Sequence, residues 1–573
     1  MALLLFMPSW LNAQYGCPGS FTPYFLDANH IKAAFFPRGN KFIADSAGGF
    51  YYSFPGQANI STIKASSPWI GGFDDAGNFK ASFESNPLQE LGNYGVGPLT
   101  SIGTPYPDSV CNHFDKVWTV YGEDIRQHYN DFFDDFKLQD TIPSIFGWPA
   151  AGNKYFRRFN GLDLPSDNGP YYAPFSDNND NGKYEPDLGD FPIPFPTRSD
   201  LIIPDQMMWM VFNNITGSSL PPGFRAMRFE FQLLAYVFYC QDNEVLNNTV
   251  FNRYTLISRA VTPIDSVFFG LWTDFNVGCP SDDFIGCDSL LNTAFAYNAD
   301  EMDGDSGFVC SDEVPGFENQ VPPLVSMTWL NEPMYSFIEP DTMAREILSN
   351  YRLLNGQWSD GTAVRPEGDG YDEDPGLPST RYLFSGDLRD TASWAAMNVL
   401  ESGYDVQSLS AVSMGRFNPG VAKYVDLAYT LHYDPAADYA DQIKNMYEDI
   451  EWFNNGHWWS FPCAQFEVCL DHDCVWPGDF DHNGRVDHED YLAWSVLYGQ
   501  VGARRNGLTT WRGFYGEDWS SAFNEINGKH ADGNGDGQVN ELDLGIHRTH
   551  NLKVNPDYVP SSEYPEGHTL IVS

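Results

Sequence analysis

The chain has 573 residues, with 77 acidic against 32 basic side chains and a formal net charge of −45. That charge excludes nucleic acid and anionic membrane surfaces as partners, and no stretch beyond the N-terminus is long and apolar enough to span a bilayer. The length allows about two to four domains, and 16 % aromatics with 51 Gly and 39 Pro suit many short strands separated by turns.

In chain order, Met1–Gln14 has an apolar core and a small-residue exit, which predicts a secretory signal over 1–14 and a protein that is secreted or held at the cell surface. The apolar or alternating runs Met207–Phe212, Arg228–Tyr239, Asn252–Ser258 and Ser266–Trp272 predict strands. They belong to a large antiparallel β-sandwich-type region over 15–453, expected as two subdomains. Helices are expected at Asp124–Asp131, Asp341–Leu348 and Ala437–Phe453. A Cys-rich connector, 454–476, follows. Nine cysteines are an odd number. The pair Cys279/Cys287 and the cluster Cys463, Cys469, Cys474 are spaced for local bridges in an oxidising compartment, and at least one thiol is free or paired elsewhere.

Two segments near the end carry oxygen side chains at the spacing of an EF-hand-type calcium loop, Asp479–Asp490 and Asp532–Asp543. Positions 1, 3, 5, 9 and 12 are Asp479, Asp481, Asn483, Asp487 and Asp490 in the first, and Asp532, Asn534, Asp536, Asn540 and Asp543 in the second. Position 7, which offers its carbonyl, is Arg485 or Gln538, and position 6 is Gly484 or Gly537. Ca²⁺ takes roughly 6–8 oxygen ligands, and this alternation turns every second side chain toward one centre. Val486 and Val539 at position 8 are suited to pin the two loops together. Trp476-Pro477-Gly478 and Asn527-Gly528-Lys529-His530 cannot continue an entering helix. The following segments read as helices, His488–Tyr498 through Leu492 and Val496, and Glu541–His550 through Leu542 and Ile546.

A third oxygen-rich loop, Asp177–Asp190, places Asp177, Asn179, Asn181, Lys183 and Glu185 at positions 1, 3, 5, 7 and 9. Leu188 stands at position 12, so Asp190 is the expected last ligand. A fourth constellation gathers Asp274, Asp282, Asp283, Asp288, Asp300, Asp303 and Asp305, whose mutual repulsion asks for a cation or solvent between them. The expected cofactor is therefore Ca²⁺: two ions within 477–552, one at 177–190 and one around 274–305.

Loop plus exiting helix, twice over, resembles a dockerin module across 477–552, with 553–573 as a tail. The stretch 499–531 between the loops is longer than in compact cellulosomal dockerins, which argues against a cohesin partner. Ser67-Pro-Trp-Ile-Gly-Gly-Phe-Asp-Asp-Ala-Gly-Asn78 resembles a segment of large secreted Bacteroidetes proteins of unknown function. So do Trp148–Asn153, Ala173-Pro-Phe with the Asp177 loop, Asp282–Asp288, Phe417–Gly420 and Val475–Asp479. Such proteins are usually exported by the type IX secretion system, often carry the dockerin-like pair, and usually end in a sorting domain that is not found before Ser573. The resemblance implies location and architecture, and no reaction.

No nucleophile elbow, H-E-x-x-H, phosphate loop or dinucleotide fingerprint is present. His113, His128, His432 and His457 stand isolated, and Trp458-Trp459 reads as packing. The expectation is a calcium-stabilised structural or adhesive surface protein, a candidate assembly subunit with a second copy or a surface glycan or protein as partner. The alternative is a secreted polysaccharide-acting or glycan-binding protein that uses the dockerin-like part for docking.

Overall fold

The computed structural model describes residues 17, 19–43, 50–52, 60–84, 94–133, 137–166, 171–196, 202–215, 227–240, 243–279, 281–303, 321–341, 347–372, 374–456, 474–505, 513–514, 516–520, 522–523 and 526–553. They fall into two compact units that interleave in sequence. One lies within 1–122, 147–173 and 204–463, and the other within 123–146, 174–203 and 464–573. The expected signal segment, Cys463, Cys469, His457, Trp458, Trp459 and Asp305 lie outside the described residues.

The first unit is β-sandwich-like. Its eight-stranded sheet runs in the order Tyr24–Leu26, Ile31–Phe35, Phe50–Tyr52, Ile60–Asp74, Ile264–Phe275, Gln407–Phe417, Met334–Ile338, with Phe79–Ser82 beside Ile60–Asp74. Its nine-stranded sheet runs Asp283–Asp288, Thr293–Asn298, Leu324–Trp329, Ala422–His432, Thr249–Ser258, Phe229–Val237, Gln206–Asn213, Gly95–Val96, with Trp118–Tyr121 beside Gln206–Asn213. The pairings are antiparallel. Each strand expected from the sequence is present; three are slightly longer, for example Ile264–Phe275 around Ser266–Trp272, and Arg228–Tyr239 is shortened to Phe229–Val237.

Alternation places Met208, Met210 and Phe212 of one sheet in the same apolar core as Phe269 and Leu271 of the other. Yet Gln206–Asn213 and Phe229–Val237 are buried at every residue. A strand covered on both faces favours a near-continuous apolar run, as in Met207–Phe212; Phe229–Val237 also buries Glu230, which pairs with Arg259 at 3.2 Å, and Gln232. Part of that cover is the helix Tyr439–Asn454, capped by Asp438, whose side chain accepts from the Asp441 N–H. It buries Ile443, Met446, Tyr447, Ile450 and Phe453, and the Phe453 ring meets Phe251 at 6.2 Å.

The Trp69-Ile-Gly-Gly segment proves to be a packing device. A Cβ on Gly72 would stand 2.9 Å from the Asp265 carbonyl, and one on Gly71 would stand 3.0 Å from the Tyr351 ring. The following turn is tied by Asp74, whose Oδ1 accepts from the N–H groups of Ala76 and Asn78 at 3.0 and 2.8 Å.

The cysteine pairing differs from expectation at Cys279 and Cys287. Cys17 bonds Cys111, and Cys240, Cys279 and Cys474 are also disulfide-bonded. Cys287 is a free, buried thiol, so the local Cys279–Cys287 bridge does not form. The cause is the strand Asp283–Asp288, which holds Cys287 with its Sγ toward the Leu383 carbonyl at 3.5 Å.

The second unit contains the helices Gly122–Phe133 (from residue 123 onward) and Pro143–Phe146, a short hairpin of Phe175–Ser176 with Phe191–Pro192, and the C-terminal loops and helices. Of the helix expected over 341–348, residues 342–346 lie outside the described residues; among the described residues a helix runs Ile347–Leu354. No described helix is long and apolar enough to cross a membrane.

Candidate metal centres

Three loops of the second unit share one backbone scaffold. The position-1 carboxylates of Asp479, Asp532 and Asp177 accept from the glycine N–H at position 6, Gly484, Gly537 and Gly182, at 2.9, 3.0 and 2.6 Å. The position-5 side chains of Asn483, Asp536 and Asn181 accept from the N–H of Arg485, Gln538 and Lys183 at 2.9, 2.8 and 2.8 Å, which anchors the residue whose carbonyl is the expected ligand. Positions 4 and 6 are left-handed in all three: His482, Gly535 and Asp180, then Gly484, Gly537 and Gly182. The glycines at position 6 answer that requirement directly.

The last carboxylate closes each loop. Asp490 accepts from the N–H of Phe480 and Asp487 at 2.6 and 2.7 Å, and Asp543 from Asn534 and Asn540 at 3.1 and 2.7 Å. In the third loop that place belongs to Asp190, which accepts from Asn178 and Glu185 at 2.8 and 2.7 Å. The 3₁₀ turn Pro186–Leu188, ended by Gly189 at φ 90°, accounts for the displaced closing carboxylate. Position 3, 5 and 9 side chains converge: Asn181 Nδ2 reaches Glu185 at 2.6 Å, Asn483 Nδ2 reaches Asp481 at 2.9 Å, and Asn534 Nδ2 reaches Asp536 at 3.2 Å. Asp487 and Asn540, at position 9, also serve as N-caps of the exit helices, with capping boxes completed by Asp490 and Asp543.

The two terminal repeats are tied reciprocally. Val486 exchanges backbone hydrogen bonds with Leu552 and Lys553, which follow the second helix, and Val539 with Gly499 and Gln500, which follow the first. Trp494 donates its indole N–H to the Asn540 carbonyl at 2.8 Å, and His547, at the same place in the other repeat, meets the Asp487 carbonyl at 2.6 Å. The valines therefore pin each loop to the other repeat's exit, not loop to loop. In the second exit helix Ile546 is buried as expected, with Leu542 partly so, but the face of the first differs from the expected pair. In His488–Leu497 the buried set is Asp490, Ala493, Trp494 and Leu497, while Leu492 and Val496 are 61 % and 47 % exposed. The inter-loop stretch braces the second loop: Trp519 donates to the Ala503 carbonyl at 3.1 Å, and Arg505 donates to the carbonyls of Asp532 and Gly533 at 3.0 and 2.6 Å.

Burial sets the electrostatics. Asp479, Asp490, Asp543 and Asp190 have no exposed surface, and loss of solvent pushes them up to about 7, 8, 8 and 7. Asp532 rises only to about 6, since the Arg505 guanidinium opposes the effect of burial. Buried carboxylates of one sign are costly unless a cation or proton neutralises them, and an all-oxygen donor set suits a hard divalent ion.

The fourth constellation is only partly assembled. Asp282, Asp283 and Asp303 are buried together in the first unit. Asp274 instead faces Lys64 at 3.8 Å and is raised by burial to about 6. Asp288 sits at the far end of its strand and ties a turn through the N–H of Leu290 and Leu291. Asp300 holds the Asn298 amide at 3.1 Å.

One arrangement had no signal in the sequence. Ser326 Oγ lies 2.8 Å from His432 Nε2, and His432 Nδ1 lies 2.7 Å from Asp449 Oδ2. The three come from two strands and the covering helix, so no local spacing reveals them. The spacing is that of a Ser-His-Asp relay, but its orientation is reversed. Ser326 is wholly buried in mid-strand between Phe295 and Thr430, while Asp449 lines a groove of about 560 Å³ with His30, Glu244 and Asp434. A nucleophile needs access to its substrate, and here only the carboxylate end has it. Comparison of the chain with models of known protein families and with curated proteins found no match.

Proposed function

We propose that this is a secreted, calcium-stabilised structural or adhesive surface protein whose second unit holds a dockerin-like module. The observation that carries the reading is the threefold recurrence of one loop scaffold. Position 1, position 5 and the closing carboxylate make equivalent backbone bonds around Asp479, Asp532 and Asp177. In each loop Ca²⁺ would be held by the side chains at positions 1, 3 and 5, the position-7 carbonyl and Asp490, Asp543 or Asp190, with position 9 acting directly or through water. The ion would neutralise the buried carboxylates, so its binding energy becomes folding energy.

Disulfides and the acidic surface suit an oxidising, calcium-rich exterior, in keeping with the resemblance to type IX-exported Bacteroidetes surface proteins. The proposed partner is a second copy of the chain or a surface glycan or protein. The reversed Ser326–His432–Asp449 geometry lends no support to a hydrolytic role. Glycan-array binding followed by reducing-sugar release tests the assignment. The proposal expects no sugar release; release abolished by one carboxylate substitution in a folded variant would replace it with the polysaccharide-acting alternative.

A further inference from the structure

The first unit buries a group of oxygens that the loop repeats do not explain. It lies at the edge strand Asp283–Asp288 of the nine-stranded sheet, where Asp283 stands directly opposite Asn298. A tight turn wraps two of the carboxylates: Asp283 Oδ2 accepts from the Val277 N–H at 2.9 Å, and Asp303 Oδ1 from the Cys279 N–H at 2.8 Å. Gly278 between them is left-handed, and a Cβ there would stand 2.6 Å from Asp303 Oδ1. Carboxylate oxygens of Asp282 and Asp303 come within 4.8 Å of each other. The sulfur beside them, Cys279, is disulfide-bonded and is no thiolate donor.

A second kind of group points the same way. Asn298 is neutral and wholly buried, and its Nδ2 is used on Asp300 at 3.2 and 3.1 Å. Its Oδ1, on the sheet face it shares with Asp283, accepts no hydrogen bond among the described residues, and neither does Asp283 Oδ1. Two wholly buried acceptor atoms left without donors among the described residues, beside two further carboxylates, make a setting that a cation would satisfy. Lys64, whose charge acts on Asp283, is itself engaged with Asp405 at 2.7 Å and Asp274 at 3.8 Å.

We propose that Asp282, Asp283, Asp303 and the Asn298 side-chain carbonyl bind a calcium ion that clamps the edge strand to the Val277–Cys279 turn. Oxygen-only donors and a mixture of carboxylate and amide carbonyl suit Ca²⁺. The site belongs to the sandwich unit and does not depend on the loop reading.

The test is the calcium content of the full chain after equilibration with excess Ca²⁺ and removal of free ion, for the wild type and Asp283→Asn. The expected difference is one ion per chain, whatever number the loops hold, so failure here and failure of the loop reading are distinguishable. The substitution should lower the calcium-loaded melting temperature and raise the chelator-treated one, because it removes a buried charge that only the ion offsets. An equal ion count, or the same sign of shift in both conditions, overturns the proposal in favour of carboxyls that stay protonated. Should Asp283→Asn fail to fold, Asn298→Asp serves: it should keep the ion and lower the half-saturating calcium concentration several-fold. A weakened or lost ion in that folded variant also overturns the proposal.

Discussion

Replacing Asp490 by Ala removes the carboxylate that closes the first loop, the proposed last ligand, and with it three backbone anchors: the N–H groups of Phe480, Asp481 and Asp487 at 2.6, 3.1 and 2.7 Å. Hydrogen bonds to a charged acceptor contribute about 1.5–3 kcal/mol each and are not additive within one group, while loss of a capping interaction costs about 0.5–2 kcal/mol. The expected loss in saturating calcium is therefore ~3–5 kcal/mol for the opening of this unit, at the upper end for a single substitution. Linkage gives an independent number. Each ion released on opening makes stability rise by ~1.4 kcal/mol per tenfold increase in free calcium. Three occupied loops give ~4 kcal/mol per decade, and Asp490→Ala should reduce that to ~2.7. The second loop should weaken as well, because Trp494 and Val486 tie the first repeat to the second. The assay is amide hydrogen exchange of the full chain across a calcium series, read on peptides covering 480–498 and 532–550. Exchange independent of calcium in the wild type, or an unchanged slope in the variant, would refute the reasoning.

Three further outcomes follow from the same geometry. Without metal, Asp479, Asp490 and Asp543 titrate near 7, 8 and 8 against about 3.9 in an unfolded chain. The folded state then binds more protons between pH 4 and 8, so chelator-treated stability should fall as pH rises through that window. Calcium, which binds the ionised form, should reverse the trend; melting curves at pH 5 and 8 check both signs. Gly537→Ala should cost about 1–3 kcal/mol and weaken calcium binding in the second loop, because φ is +81° and the new Cβ would meet Arg504 Cγ at 2.9 Å and the Gly502 carbonyl at 3.0 Å. Asp449→Ala should destabilise the first unit by ~1–3 kcal/mol in denaturant titration by leaving buried His432 without its carboxylate.

What the sequence made legible follows from how local each feature is. The backbone scaffold of the terminal loops was legible because the spaced oxygen side chains and the glycine lie within one short segment, and the helices after them start where their position-9 caps stand. The third loop was readable up to Glu185, and its closure by Asp190 followed from the nearest carboxylate although a 3₁₀ turn displaces it. Helix orientation was not readable: Leu492 and Val496 are as apolar as a core pair, but Trp494 takes the inner face because its indole has a partner there. The Cys279–Cys287 spacing misled, since an extended strand separates residues that sequence alone places side by side. Of the fourth constellation, crowding of carboxylates was visible, but strand register decides that Asp283 and Asn298 face each other while Asp288 stands apart. The Ser326–His432–Asp449 relay is wholly a product of long-range pairing.

The central claim is that three loops of one scaffold hold calcium, and anomalous scattering from crystals of the full chain grown in calcium tests it site by site. The account predicts an ion in each loop at about 2.3–2.6 Å from carboxylate oxygens of Asp479 and Asp490, of Asp532 and Asp543, and of Asp177 and Asp190. Anomalous density absent from all three, with the loop backbones unchanged, would contradict it.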